Sequence, residues 1–109
     1  MKSEFLKLKT LYIKSHNMDA KFSKEEEKYQ KLHRKLYPEY KKDPVINIYP
    51  KAMKDPRIYK AHNKLNIIAG EANKIHDELF SKVTAFIVKY GHDNYSKLFK
   101  KYHLAKYAY

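Results

Sequence analysis

The stretch PRIYKAHNKLNIIAGEANKIHDELFSKVTAFIVKY, residues 56–90, decides the fold. Ile58, Ala61, Leu65, Ile68, Ala72, Ile75 and Leu79 step alternately by three and four, and Val83, Phe86 and Tyr90 continue the series. Only a helix returns side chains to one face at that period. Asp55 stands where an N-cap belongs, Pro56 suits the first helical position, and Gly91 closes the run. Unbroken, such a helix measures roughly 50 Å, about twice the ~26 Å expected across a domain of this size. Two accommodations follow: a break or bend near Gly70, or a second copy of the chain packed along the spine through Leu65, Ile68, Ala72 and Ile75. The second half of the run is also apolar off its main stripe, at Phe80, Ala85, Ile87 and Val88. That places residues 75–90 at the centre of the core, with the surplus surface covered by other helices or by a partner.

Upstream, Ser3 is a candidate N-cap, and Phe5, Leu8, Leu11 and Tyr12 have helical spacing, giving a helix near residues 3–15; alternation with lysines also leaves a short strand open there. Ser23 and Glu26 have capping-box spacing, and the three glutamates from Glu25 to Glu27 favour a helix start. A helix at 24–37 follows, with Tyr29, Leu32 and Leu36 as its apolar stripe and Pro38 at its end. Residues 38–55 read as a connector interrupted by Pro44 and Pro50, with one extended run from Val45 to Tyr49. After Gly91, Asp93 or Asn94 caps a last helix at 94–106, whose inner face is Tyr95, Leu98, Phe99 and Tyr102. The predicted architecture is all-α: one domain over 1–109, a small bundle of about four helices with one long central helix, dimeric through it.

Composition bounds the function. The 109 residues carry 24 Lys plus Arg against 12 Asp plus Glu, a net charge of +12, and 43% hydrophobic content supplies one core. The absence of cysteine excludes disulfides and thiolate chemistry, and two glycines exclude a Gly-rich phosphate loop. No apolar run reaches membrane-spanning length and no secretory leader is read, so the expected location is cytoplasmic and no membrane partner is expected. Such a charge attracts polyanions, and nucleic acid leads the partner classes. Codon bias toward Lys, Asn, Ile and Tyr would account for much of the lysine count, but not for the shortage of acids.

Lysine outnumbers arginine 22 to 2, which favours phosphate contact over the bidentate reading of guanine that only Arg34 and Arg57 could perform. The C-terminal segment is the preferred contact: Lys97, Lys100, Lys101 and Lys106 interleave with His103, Tyr95, Tyr102, Tyr107 and Tyr109. The competing reading is an amphipathic helix with its aromatics in the core and its lysines solvated. Lys24, Lys28, Lys31 and Lys35 form a second basic face that reads as solvated, beside glutamates. A helix-turn-helix around Gly91 fits poorly, because Lys97 occupies a position that motif keeps apolar. The six scattered histidines show no ligand spacing, so no metal and no cofactor are expected. A metal-independent ribonuclease using His92 and His103 is the enzymatic alternative, set behind a non-enzymatic role. The leading expectation is thus a basic nucleic-acid-binding accessory protein, of a kind that phages and mobile elements encode. Its rivals are an interaction module or inhibitor that occupies an acidic surface or nucleic-acid channel, and a viral structural subunit.

Overall fold

A computed structural model of the chain describes residues 1–39 and 50–108, and every regular element among them is helical. The order is α1 (Lys2–Leu36), α2 (Pro50–Met53), α3 (Pro56–Tyr90), α4 (His92–Lys101) and α5 (Ala105–Ala108). The all-α class holds. The expected extended run at 45–49 lies outside the described residues.

The largest departure from expectation is α1, which runs unbroken where two helices were predicted, so Ser23 sits exposed in its interior instead of capping a second helix. The physical reason lies in residues 16–23. They contain neither Gly nor Pro, and Met18 and Phe22 keep the three-to-four step between Ser15 and Tyr29. Ser15 and His33 occupy buried positions on that face, so the apolar series looks interrupted although the helix is not. Two helices of 35 residues therefore exist in place of a single spine.

The N-terminus of α3 is capped as its sequence dictates. The Arg57 N–H donates to Asp55 Oδ1 at 2.9 Å, Pro56 supplies no N–H, and the Tyr59 N–H donates to the Asp55 carbonyl at 2.9 Å. The helix passes through Gly70 without a break. It ends at Gly91, whose φ of 88° only glycine adopts freely, and α4 begins at the next residue. Asp93 and Asn94 thus lie inside α4 rather than capping it. Asn94 Nδ2 instead donates to the Tyr90 carbonyl at 2.7 Å, satisfying an acceptor at the end of α3. A single-residue junction is too short for the three- to four-residue turn of a helix-turn-helix.

The chain divides into two compact units, Met1–Asp19 with Glu71–Tyr109, and Ala20–Gly70. In the first, Phe5, Leu8, Phe86 and Leu104 form a buried centre surrounded by Tyr12, Val83, Tyr90, Tyr95, Leu98, Phe99, Tyr102 and Tyr107. Phe5 meets Phe86 edge-on at 5.5 Å between centroids and stacks on Tyr102 at 5.7 Å. Such pairs add about 0.5–1.5 kcal/mol each beyond their area burial. His103 adopts a left-handed φ of 55°, and the turn it makes returns Leu104, fully buried, to this centre. In the second unit Tyr29, Ala52, Ile58 and Leu65 form the centre, joined by Phe22, Leu32, Leu36, Tyr37, Met53 and Ala61.

Among the described residues the surplus apolar surface of α3 is covered only in part, with Ile87 half-buried and Ala85 exposed. Ile75 and Phe86 are buried, but Phe80 is 74% and Val88 82% exposed.

Candidate nucleic-acid interface

The predicted cations of the C-terminal segment are all on the surface. Lys97, Lys100 and Lys101 project from α4 and Lys106 from α5, each exposed. The inner positions of α4 hold Tyr95, Leu98, Phe99 and Tyr102, so a helix of this period has nowhere else to put its lysines. From Asn94 onward the sequence contains no acid. Among the described residues none of these four ammonium groups is ion-paired.

Two of them lie over rings. Lys101 Nζ lies 5.7 Å from the Tyr102 centroid and Lys106 Nζ 5.1 Å from that of Tyr107. A fifth cation joins them. Lys9 Nζ of α1 is 5.4 Å from the Tyr102 centroid, so one ring gathers two ammonium groups. Lys9 was missed from sequence because its arrival depends on Phe5, one turn earlier on α1, stacking on Tyr102. No local signal announces a contact between residues so far apart in the chain.

The tyrosines do not form the open stacking platform expected of them. Tyr95 packs against Phe5, Phe86 and Phe99, and burial, followed by the hydrogen bond between its hydroxyl and that of Tyr12, raises its pKa well above the usual phenol. Tyr102 stacks on Phe5, and Tyr107 is half-buried with its ring 5.7 Å from His16. The amphipathic-helix reading therefore holds for these rings: aromatics inside, lysines in solvent. Tyr109 lies outside the described residues. His103 is exposed in its left-handed turn, and His92, also exposed, approaches Ser96 Oγ through Nδ1 at 3.3 Å.

The other predicted contacts belong to the second unit. Arg57 is committed: its Nε and Nη2 reach the Asp55 carboxylate at 3.1 and 2.7 Å, holding that carboxyl well below its usual range. The pair neutralises the guanidinium's charge and occupies its Nε/Nη2 edge, which weakens its pull on a base edge or phosphate. Arg34 is exposed and reaches Gln30 Oε1 at 3.4 Å. Lys28 and Lys31 pair with Glu25 and Glu27 at 3.5 and 3.1 Å, so the second basic face is a solvated, partly neutralised one.

That unit does contain what the C-terminal segment lacks. Tyr59 is 54% exposed, the only exposed tyrosine among the described residues, beside an open groove of about 680 Å³ lined also by Lys28, Arg57, Lys60 and Lys64. Glu25 draws both Lys28 and Lys64 there, at 3.5 and 3.4 Å; burial raises its pKa, but the two lysines outweigh that and leave it lowered.

Leu65, Ile68, Ala72 and Ile75, expected at a dimer seam, are each less than 8% exposed within the single chain. As placed, their side chains contribute to the chain's own interior and present no free face. Among the described residues no group of three potential metal ligands converges, and no helix is long and apolar enough to cross a membrane. Comparison with family models, with curated proteins and with solved structures gives no match, so the reading of this surface rests on its own residues.

Proposed function

We propose that this chain binds DNA or RNA through the phosphate backbone, with α4, α5 and Lys9 as the contacting surface and little dependence on base sequence. The observation that carries the reading is the set of five lysines, Lys9, Lys97, Lys100, Lys101 and Lys106, none ion-paired among the described residues. An ammonium group without a carboxylate keeps its counterion atmosphere, and exchanging that atmosphere for phosphates is the entropic source of non-specific nucleic-acid affinity. The inward-packed, half-buried rings of Tyr95 and Tyr102 favour backbone contact over base stacking at this surface. Pairing of Arg57 with Asp55 neutralises one of only two groups suited to guanine. No reaction is proposed.

Fluorescence anisotropy on labelled duplexes of random sequence, titrated at several salt concentrations, tests the reading. Five phosphate contacts give a slope of log affinity against log salt of about −4 to −5. Absence of binding near ~0.1 M salt, where non-specific affinities of this kind are measurable, overturns it.

A further inference from the structure

The second unit holds a site of a different kind in the groove beside Tyr59. Two rows of α3 line it: Tyr59, Asn63 and Ile67 at four-residue steps, and Lys60 and Lys64 one position on, all exposed. Across the groove stand Tyr29 and Leu32 of α1, buried and half-buried. Tyr59 is 54% exposed, whereas every other tyrosine among the described residues is buried or half-buried. Lys60 and Lys64 leave the helix about 6 Å apart along its axis, comparable to one step of an extended polynucleotide strand.

The charges around this ring are layered, with acids beneath and cations outside. The side chains of Glu25 and Asp55 are 18% and 8% exposed, whereas Lys28, Lys64 and Arg57, which they pair with, are 73%, 63% and 65% exposed. Asp55 balances Arg57, but the single carboxylate of Glu25 serves both Lys28 and Lys64. Lys60 has no ion pair among the described residues. The groove therefore keeps a positive excess beside an open aromatic face.

We infer that this groove takes an unpaired stretch of single-stranded DNA or RNA, with a base stacked on the Tyr59 ring and the flanking phosphates met by Lys60 and Lys64. Stacking supplies affinity without regard to base identity, because every base has a π-face. A duplex cannot use the ring, since its base faces are covered by neighbouring pairs. The volume of about 680 Å³ falls in the ~300–1,000 Å³ range of small-molecule sites, which admits a nucleotide and not a double helix. Asn63, between the ring and Ile67, places an amide where a base edge passes. An acidic peptide would satisfy the ammonium groups, but its carboxylates bring no planar face to the tyrosine. None of these residues belongs to the surface proposed above, so the inference does not rest on backbone binding there.

Anisotropy with a labelled oligothymidylate of about twelve nucleotides, beside a labelled duplex, tests it. Tyr59→Ala is expected to lower single-strand affinity at least about fivefold, the effect of losing one stacked base, with duplex affinity and helical circular dichroism unchanged. Tyr59→Phe, which keeps the ring, is expected to bind as the wild type does. The chain has no tryptophan, so Tyr59→Trp carries a unique reporter, and its emission should be quenched by the oligothymidylate and not by the duplex. That quenching should persist when Lys97, Lys100 and Lys101 are replaced by alanine, which separates this groove from the α4 and α5 surface. No single-strand binding near ~0.1 M salt, equal affinities of Tyr59→Ala and wild type, or equal losses on both nucleic acids would each overturn the inference. An indole that responds to polyglutamate and not to the oligothymidylate would overturn it in favour of an acidic peptide.

Discussion

The two compact units divide their positive charge differently. In the first, five lysines around α4, α5 and the start of α1 face no carboxylate among the described residues, and the rings beside them are packed inward. In the second, Lys28, Lys31, Lys64 and Arg57 each have an acidic partner around the exposed ring of Tyr59, while Lys24, Lys35, Lys54 and Lys60 are exposed and without an ion pair among the described residues. Formal charge thus differs from available charge. What decides availability is whether a glutamate lies three or four residues away on the same helix or faces the lysine from the next. The sequence from 24 to 39 supplies four acids, whereas α4 has only Asp93, four residues before Lys97 and not ion-paired with it, and no acid follows.

The cores differ too, and the largest effects are expected there. Phe5 is fully buried and touches the rings of Phe86, Tyr95 and Tyr102, so Phe5→Ala should cost about 3–5 kcal/mol of stability. Ile58, equally buried in the second unit, loses one methylene in Ile58→Val, for about 0.5–1.5 kcal/mol. Urea unfolding of the two variants orders the contributions. A Phe5→Ala cost below that of Ile58→Val would show that the aromatic centre is not the mainstay of the first unit.

The charge comparison has its own test. Lys97, Lys100 and Lys101 replaced together by alanine should reduce duplex affinity near 0.1 M salt on the order of a hundredfold and flatten the salt slope by about 2.7. The matched triple Lys28, Lys31 and Lys64 to alanine should change the slope by less than one third of that, since each of those cations already has a carboxylate. Equal losses from both triples would erase the distinction drawn between free and paired lysines.

Much of this architecture is legible in the sequence. The helical class, the bounds of α3 and the cap at Asp55 follow from period and punctuation, because an apolar series with no polar intruder admits one reading. The continuity of α1 is hidden because Ser15 and His33 take inner positions, and pattern reading treats a polar inner residue as a gap. The start of α4 is misplaced because Gly91 does alone what a capping side chain does elsewhere. At the surface, the lysines of α4 and the inward rings Tyr95, Phe99 and Tyr102 can be read from spacing. Lys9 cannot, since only the packing of Phe5 on Tyr102 brings it there. Burial of the Leu65 to Ile75 stripe within one chain, and exposure of Phe80 and Val88 on another face, depends on which helices pack together, which periodicity does not specify.

A smaller effect separates the turn at His103 from the lysines flanking it. Its φ of 55° disfavours branched side chains, so His103→Ile should cost about 1–2 kcal/mol in thermal or urea unfolding. His103→Gly should be tolerated with at most a few tenths of a kcal/mol of change, because relief of the left-handed strain offsets the extra freedom of the unfolded chain. Nucleic-acid affinity should be unchanged by the glycine variant, because the proposed contact is carried by ammonium groups. A drop equal to that of losing a lysine would bring the imidazole into the interface.

The smallest effect distinguishes the units by pH. His33 is buried in the second unit, with the rings of Tyr29 and Tyr37 each 6.0 Å away. Burial lowers its pKa from the ordinary 6.5, and the nearby charge of Glu39 only partly opposes this. The unfolded chain therefore takes up a proton near pH 6.5 that the folded chain still refuses. Stability from this group is complete above that pH and is lost as pH falls toward the folded value. Glu4, held low by the Tyr90 hydroxyl and then by Lys89, acts only below the ordinary carboxylate range, so the first unit has no matching carboxylate response in this window. Between about pH 7.5 and 5.5 the wild type should lose melting temperature, and amide exchange around Ile58 and Leu65 should accelerate more than around Phe86. His33→Phe, which keeps a ring in the cluster but cannot titrate, should flatten both trends. If the variant follows the wild type across that range, the acid sensitivity belongs to another group.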